Sequence, residues 1–508
     1  MVLGVITMHR PRVDLIVLFC LLVLPIEFLA AQTKHEGLLP DTPAAKQLND
    51  WLRVFGGGDQ NDYTRFIADR YTTALLAEDK AHDRADRQAR VYMDARRFDI
   101  RRIEKSTPLE IDVLAGAALT GLWYRLTMAV ETDPPHRITA YTWQRIPAPA
   151  EDQIHVNERE LIQQLGLFMD KLAAVDAFAG TVLVAKDDKP IFKRAYGLAS
   201  KAYNFSMRID TKLNLASTTK IFTAVAVFQL IEQGKLSLSD TVSKILPDYP
   251  NKKVADKITI HHLLSHSSGL GDYHGAKYIC SKNVLRQVRD YFPLFVDEPL
   301  SFEPGEKMQY SNAGYVILGA IIEKVSGENY FDYVRRHIFE PSGMKSTGFF
   351  ETDIDTPNLA TGYTNFEDKG EDYFEFHLGQ RRNTSLYSGA KGSSQGGAFS
   401  TAEDMLRFSI ALHSNKLITA KSLDLMTNPK YFFRKYASGD VYYGYGFELE
   451  NIDGKRVFGH GGGDLGISSG IRWYPDSGNY TFIVLSNYDR GGIVANDKIQ
   501  DLIIHSRK

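Results

Sequence analysis

Leu213-Asn-Leu-Ala-Ser217-Thr-Thr-Lys220-Ile-Phe-Thr-Ala-Val-Ala-Val-Phe-Gln-Leu230 is the stretch on which the reading of this chain turns. From Ile221 onward it is apolar on most sides, which predicts a buried helix. A buried helix that carries both a hydroxyl and an amine must give them work or partners. Residues three apart share a helix face, so Ser217 and Lys220 can touch, and the pair supplies a nucleophile beside a nitrogen base. The expected position of Ser217 at the helix N-terminus also offers free N–H groups, so its own backbone N–H can help bind an oxyanion. Standing alone, the spacing also fits a capping serine followed by a surface lysine.

A second stretch, Phe302-Glu-Pro-Gly305-Glu-Lys-Met-Gln-Tyr310-Ser-Asn312-Ala-Gly314, sets a Pro-Gly turn ahead of a helix predicted from Ala313 to about Val325, with Gly327 as its stop. Tyr310 and Asn312 fall on the loop leading into that helix. A tyrosine beside cations loses its proton more readily than in water, so Tyr310 is a candidate general base. Asn312 can accept from Lys220 and donate to a substrate carbonyl. Read by itself, the same segment fits an N-cap with a packed tyrosine. In a third stretch, Val457-Phe-Gly-His460-Gly461-Gly462-Gly463-Asp464, a strand runs into three glycines, where a backbone can approach a ligand closely. His460 could orient substrate there, and the N–H of Gly463 could complete an oxyanion hole with that of Ser217. The alternative is a glycine-rich hairpin with a surface histidine.

Taken in order, Ser-x-x-Lys, Tyr-x-Asn and strand–His-Gly-Gly closely resemble the serine β-lactamase and penicillin-binding-protein superfamily. The tyrosine of the second motif is similar to that of the class C β-lactamase branch with its peptidase and esterase relatives. Ile260-His-His-Leu-Leu-Ser-His266-Ser-Ser-Gly-Leu270, Phe339-Glu-Pro-Ser-Gly-Met344 and Gly396-Gly-Ala-Phe-Ser-Thr401-Ala-Glu-Asp404 resemble the same branch. The resemblance implies an acylated Ser217, a proton relay through Lys220 and Tyr310, substrate contacts from Asn312, His460, Gly461 and Gly462, and an oxyanion hole from Ser217 and Gly463. It implies no cofactor. His266, within a family-like stretch, is assigned a structural part. The third motif departs from the family's Lys-Thr/Ser-Gly. A partly charged histidine and a glycine without a hydroxyl weaken the grip on a substrate carboxylate. The expected activity is therefore hydrolysis of esters or small amides, as by an esterase or D-amino-acid peptidase. A β-lactamase or DD-carboxypeptidase proper is the alternative, and a non-catalytic cell-wall-ligand sensor on the same scaffold the second.

The rest of the chain frames this site. At 508 residues, two domains are expected. Hydrophobic residues at 44% suffice for a large core, and a net charge of −2 argues against nucleic acid as a partner. The expected partner is a small-molecule or peptide acyl substrate. His9, Arg10 and Arg12, the apolar run Leu15–Leu24 and the small-residue exit Leu29-Ala-Ala31 predict a signal peptide over residues 1–31 and export to the periplasm or outside, an uncleaved anchor being the alternative. No stable membrane span is expected after its removal. Beyond it Cys280 is the single cysteine, so no disulfide framework is expected, and no cysteine–histidine spacing predicts a metal site.

Residues 42–148 read as a small α+β domain. Helices begin at Thr42 and carry Trp51, Tyr63 and Phe66; a charged, exposed one follows at about 78–92; then come four period-two strands. In element order this resembles a nuclear-transport-factor-two-like cone. After a Pro-Ala linker, residues 155–505 predict an α+β hydrolase domain: one antiparallel sheet built from both chain ends, with flanking helices and a helical insert. Its C-terminal strands are expected at 443–449, 456–459, 469–474 and 480–485.

Overall fold

The computed structural model describes residues 39–368, 374–379, 381–385 and 387–506. The expected signal peptide lies outside the described residues. Among those described, no helix is long and apolar enough to cross a membrane.

The first elements are helices α1 (Pro43–Gly57), α2 (Gln60–Arg70), α3 (Thr73–Glu78) and α4 (Ala81–Ala95). Thr42 caps α1 through its side chain, Pro43 fills the first turn, and Gly58 ends the helix in the left-handed region at φ 71°. Strands β1 (Phe98–Ser106), β2 (Glu110–Ala117), β3 (Trp123–Val130) and β4 (Ile138–Ile146) follow as an antiparallel meander. Trp51, Tyr63, Phe98, Leu126 and Tyr141 belong to the apolar core between meander and helices. One correction falls here: α4 is half-buried, not exposed. Ala85 and Ala89 recur one turn apart, so the helix lies close on the core, with Val91 and Met93 buried and with Asp86 and Asp94 also buried, against Gln60 and Arg490. Phe376, from far along the chain, is buried in the same core.

Helix α5 (Glu158–Ala174), opened by a capping box at Asn157 and Glu160, leads into β5 (Gly180–Lys186) and β6 (Lys189–Tyr196). The sheet is completed from the far end of the chain by β7 (Tyr431–Tyr436), β8 (Gly439–Tyr443), β9 (Glu448–Ile452), β10 (Lys455–Asp464), β11 (Ile467–Tyr474) and β12 (Tyr480–Ser486). All neighbours are antiparallel, in the order β7-β8-β9-β10-β11-β12-β5-β6. The expected α+β architecture, a sheet made from both ends around a helical insert, is the one observed.

Alternation along the strands divides the core in two. Leu183, Ile471, Trp473 and Ile483 face helices α6 (Lys220–Glu232), α7 (Asn312–Ser326) and α8 (Ala402–His413). Val182, Val484, Phe482 and Tyr474 face α5 and the C-terminal α9 (Gly491–Ile504). Two strand expectations are corrected. The run 443–449 is broken, because Gly446 at φ 79° packs its backbone against α6 and ends β8 before β9 begins. The strand predicted at 456–459 continues through the glycines to Asp464, and β7 adds a strand the sequence reading did not include.

Candidate active site

Ser217 sits in a single 3-10 turn, Ala216–Thr219, immediately before α6. The turn is held from two sides. Leu215 O accepts from Ser469 Oγ of β11 at 2.7 Å, and Leu215 N donates to Ala398 O at 2.7 Å. Ala216 is held at φ 42°, a conformation costly for a residue with a Cβ, with its N–H on Asn214 Oδ1. Ser217 is partly exposed while its neighbours are buried.

Lys220 is fully buried. Its Nζ donates to Ser217 Oγ at 3.1 Å, Asn312 Oδ1 at 2.7 Å and Gln395 O at 2.5 Å. Burial lowers its pKa to about 7, with the Asp272 carboxylate pulling weakly the other way. Serine and lysine are therefore in hydrogen-bond reach, and the amine carries a lone pair in a large share of molecules at neutral pH.

Ser311 caps α7, which sets Asn312 at its first turn and Tyr310 just before it. The Tyr310 ring stacks on His266 at 4.2 Å and on Phe433 at 5.8 Å, and Lys220 Nζ lies 4.8 Å from its centroid. Burial raises the Tyr310 pKa well above the ordinary value, outweighing the lowering effect of a hydrogen bond with Ser217. This corrects the expectation that neighbouring cations would ease its ionisation: burial dominates, and Lys220 beside it is only partly charged. His266 is buried, accepts from Ser311 N–H through Nδ1 at 3.1 Å, and is held neutral by burial. It braces the Tyr310 loop, the structural part assigned to it.

His460 is the larger correction. Its ring is 1% exposed, Nε2 meets Tyr443 Oη at 2.9 Å, and burial takes its pKa down to about 4. It is a neutral wall residue, not a partly charged substrate grip. On the same face of β10, Gly462 lies so close to the serine turn that an added Cβ would fall 2.2 Å from Leu215 O and 3.0 Å from Ser217 N. Gly461 and Gly463 point to the other face, and a Cβ at Gly463 would meet nothing within 4 Å. Asp464 is exposed at the strand end, outside the cavity lining.

Three features lay outside the sequence reading. Asp272 accepts from Asn312 Nδ2 at 2.8 Å and pairs with His274 at 3.2 Å. Gln395 supplies the third acceptor for Lys220. Glu448, buried, accepts from Arg434 at 2.8 Å and from Arg472. Burial alone would raise its pKa, but the two guanidinium groups outweigh that and hold it at about 2. None of these carries a motif; each acts through a neighbour distant in sequence. Among the described residues one group could hold a metal ion, Glu367, Glu375 and His377, in the hairpin 366–376 and its exit. Arg382 already pairs with Glu367 there.

Residues 168–504 match the β-lactamase family over its description "Beta-lactamase". The chain belongs to this family. Penicillin-binding protein 4* of Bacillus subtilis (strain 168) is 33% identical over 341 residues, 65% of this chain and 72% of that protein. Esterase EstB of Burkholderia gladioli is 34% identical over 204 residues, 37% of this chain and 52% of that protein. The crystal structure of a penicillin-binding protein from Bacillus halodurans superposes with a TM-score of 0.56 at 30% identity, over 69% of this chain and all of that one. The protein is thus a serine hydrolase of the β-lactamase and penicillin-binding-protein family. Within that family its third motif, His460-Gly461-Gly462, carries no cation.

Proposed function

We propose that this family member is an exported hydrolase of the class C-like branch that cleaves esters or small amides through an acyl-enzyme on Ser217. The observation that carries the reading is the 3.1 Å contact between Ser217 Oγ and a buried Lys220 whose pKa lies near 7. In its neutral form Lys220 takes the serine proton as the oxygen attacks the acyl carbon. Tyr310, kept protonated by burial, passes a proton to the leaving group and is refilled from Lys220. Asn312 holds the substrate carbonyl side, and the N–H groups of Ser217 and Gly463 receive the oxyanion. Water then attacks the acyl-enzyme by the same relay in reverse.

Neutral His460 and side-chain-free Gly461 offer no fixed positive charge for a carboxylate. This favours uncharged acyl substrates over β-lactams, in keeping with the esterase among the relatives. Hydrolysis of a chromogenic short-chain ester, a cephalosporin and a D-Ala-D-Ala peptide, each compared with Ser217→Ala, tests it. The ester should be turned over fastest and the variant should be inert. Equal rates for parent and variant would refute the serine mechanism, and a dominant cephalosporin rate would favour the β-lactamase alternative. A fluorophosphonate adduct found by mass on the Ser217 peptide would rule out the sensor.

A further inference from the structure

One cavity of about 810 Å3 contains Ser217 and Tyr310, yet its far wall is Trp143, Gln144 and Arg145 of β4. The route between them follows from the strand register. Strand β9 pairs with β10 only as far as Gly459, so from His460 to Asp464 the β9 side of β10 is a free edge. Beyond that edge the sheet's second face has a gap between side chains: Gly461 pairs with Gly470, and neither brings one, with Arg472 and Glu448 to one side. Asn496 of α9 lies against this floor, where a Cβ on Gly470 would come within 2.7 Å of its Nδ2. The serine end and the module end are therefore parts of one space.

We infer that the N-terminal module completes the substrate site: the chamber bounded by Trp143, Gln144 and Asn496 receives the distal part of the substrate, an uncharged chain rich in amide-like hydrogen-bonding groups. The inference rests on the acyl-transfer reading of Ser217. The arginines on the walls are already matched, Arg145 with Asp497, Arg434 and Arg472 with Glu448, and Arg490 with Asp94, while the lining's Lys435 is exposed to solvent. An ionic group drawn in among these paired arginines would lose water without gaining a free counter-charge there. What remains for a ligand is hydrogen bonding: Asn496 Oδ1 as acceptor and the Nε–H of Arg145, Arg434 and Arg490, whose charges are paired, as donors, all buried without a hydrogen-bond partner among the described residues. Buried polar atoms left open in this way favour a ligand that satisfies both kinds. The Trp143 ring gives such a chain a flat apolar wall to lie along.

The test compares 4-nitrophenyl esters of acetate, of N-acetyltriglycine and of an apolar acyl chain of the same length, in the full chain and in Gln144→Ala and Gln144→Trp. Gln144 is exposed, so both variants should fold. The ratio of kcat/KM for the triglycine ester to that for acetate should exceed the ratio for the apolar ester. It should fall about tenfold in Gln144→Ala, the size of one or two hydrogen bonds, and further in Gln144→Trp, which narrows the chamber. Titration calorimetry of N-acetyltriglycine amide into the Ser217→Ala chain, with and without Gln144→Trp, reads the chamber without catalysis. Weakened binding in the double variant supports the inference. Unchanged ratios, or no binding to Ser217→Ala, overturn the chamber whatever the activity; ester hydrolysis that survives Ser217→Ala overturns the serine reading instead.

Discussion

At pH 7 the Lys220 amine stands near half-protonated, because burial disfavours its charge and the groups it touches are neutral acceptors. The base form is the unprotonated one. Ester hydrolysis should therefore rise with pH through about 7, and kcat/KM should drop about tenfold per unit on the acid side; a pH–rate profile with no limb near 7 would exclude Lys220 as the base. Asp272 raises the lysine pKa, so Asp272→Asn should move that limb to lower pH while loosening the hold on the Asn312 amide. The opposite shift, or none, would show that Asp272 is only a rim residue. The sequence named Ser217, Lys220, Tyr310 and Asn312 because each sits at a fixed offset from a helix start. It was silent on Asp272, whose part depends on a loop folding over Asn312. It misjudged His460 because neutrality comes from burial beside Tyr443, a contact absent from any local pattern.

Among the elements, β10 decides how the serine turn is held. Gly462→Ala would force a Cβ onto Leu215 O, so the strand must back away from the nucleophile. We expect a loss on the order of 10²-fold in kcat from the displaced oxyanion donors. Gly461→Ala meets nothing closer than 3.8 Å and should be far milder; equal losses in the two variants would mean that the glycines matter for something other than that approach. Beside it, Glu448 ties β7, β9 and β11 together. Its folded pKa of about 2 lies below the ordinary 4.5, so its contribution is complete above about pH 4.5 and fades as pH falls toward 2. Glu448→Gln should cost roughly 3 kcal/mol at pH 7 by urea unfolding, and the difference from the parent should close at the acid end; a gap that does not vary with pH would mean lost packing alone. Strands β5, β6, β11 and β12 were legible from apolar alternation. The length of β10 was not, since glycines normally end a strand, and here they are required by the backbone packed against them.

Across the whole molecule, the N-terminal module is held by more than its linker. Phe376 is buried in its core, Arg490 pairs with Asp94, and Arg145 pairs with Asp497. A protease nick engineered between residues 147 and 153 should leave both fragments eluting as one particle on gel filtration, with ester hydrolysis retained. Two separated species would mean that these contacts do not hold the parts together. The meander and its helices could be read locally, because each strand pairs with the next one in the chain. The tether through Phe376 could not, because a single phenylalanine in a loop gives no sign of which core it joins. The same distinction sets a clock on folding. Gly180 of β5 waits for Ser486 of β12, and the sheet cannot close until that partner has been made. At ribosomal speeds of about 5–20 residues per second the hydrolase half spends on the order of tens of seconds as an open chain after its first strand is made, and the module's core waits in part for Phe376. During synthesis, then, the serine, the lysine and the tyrosine belong to no site, and the nascent enzyme is chemically inert until β12 has been made.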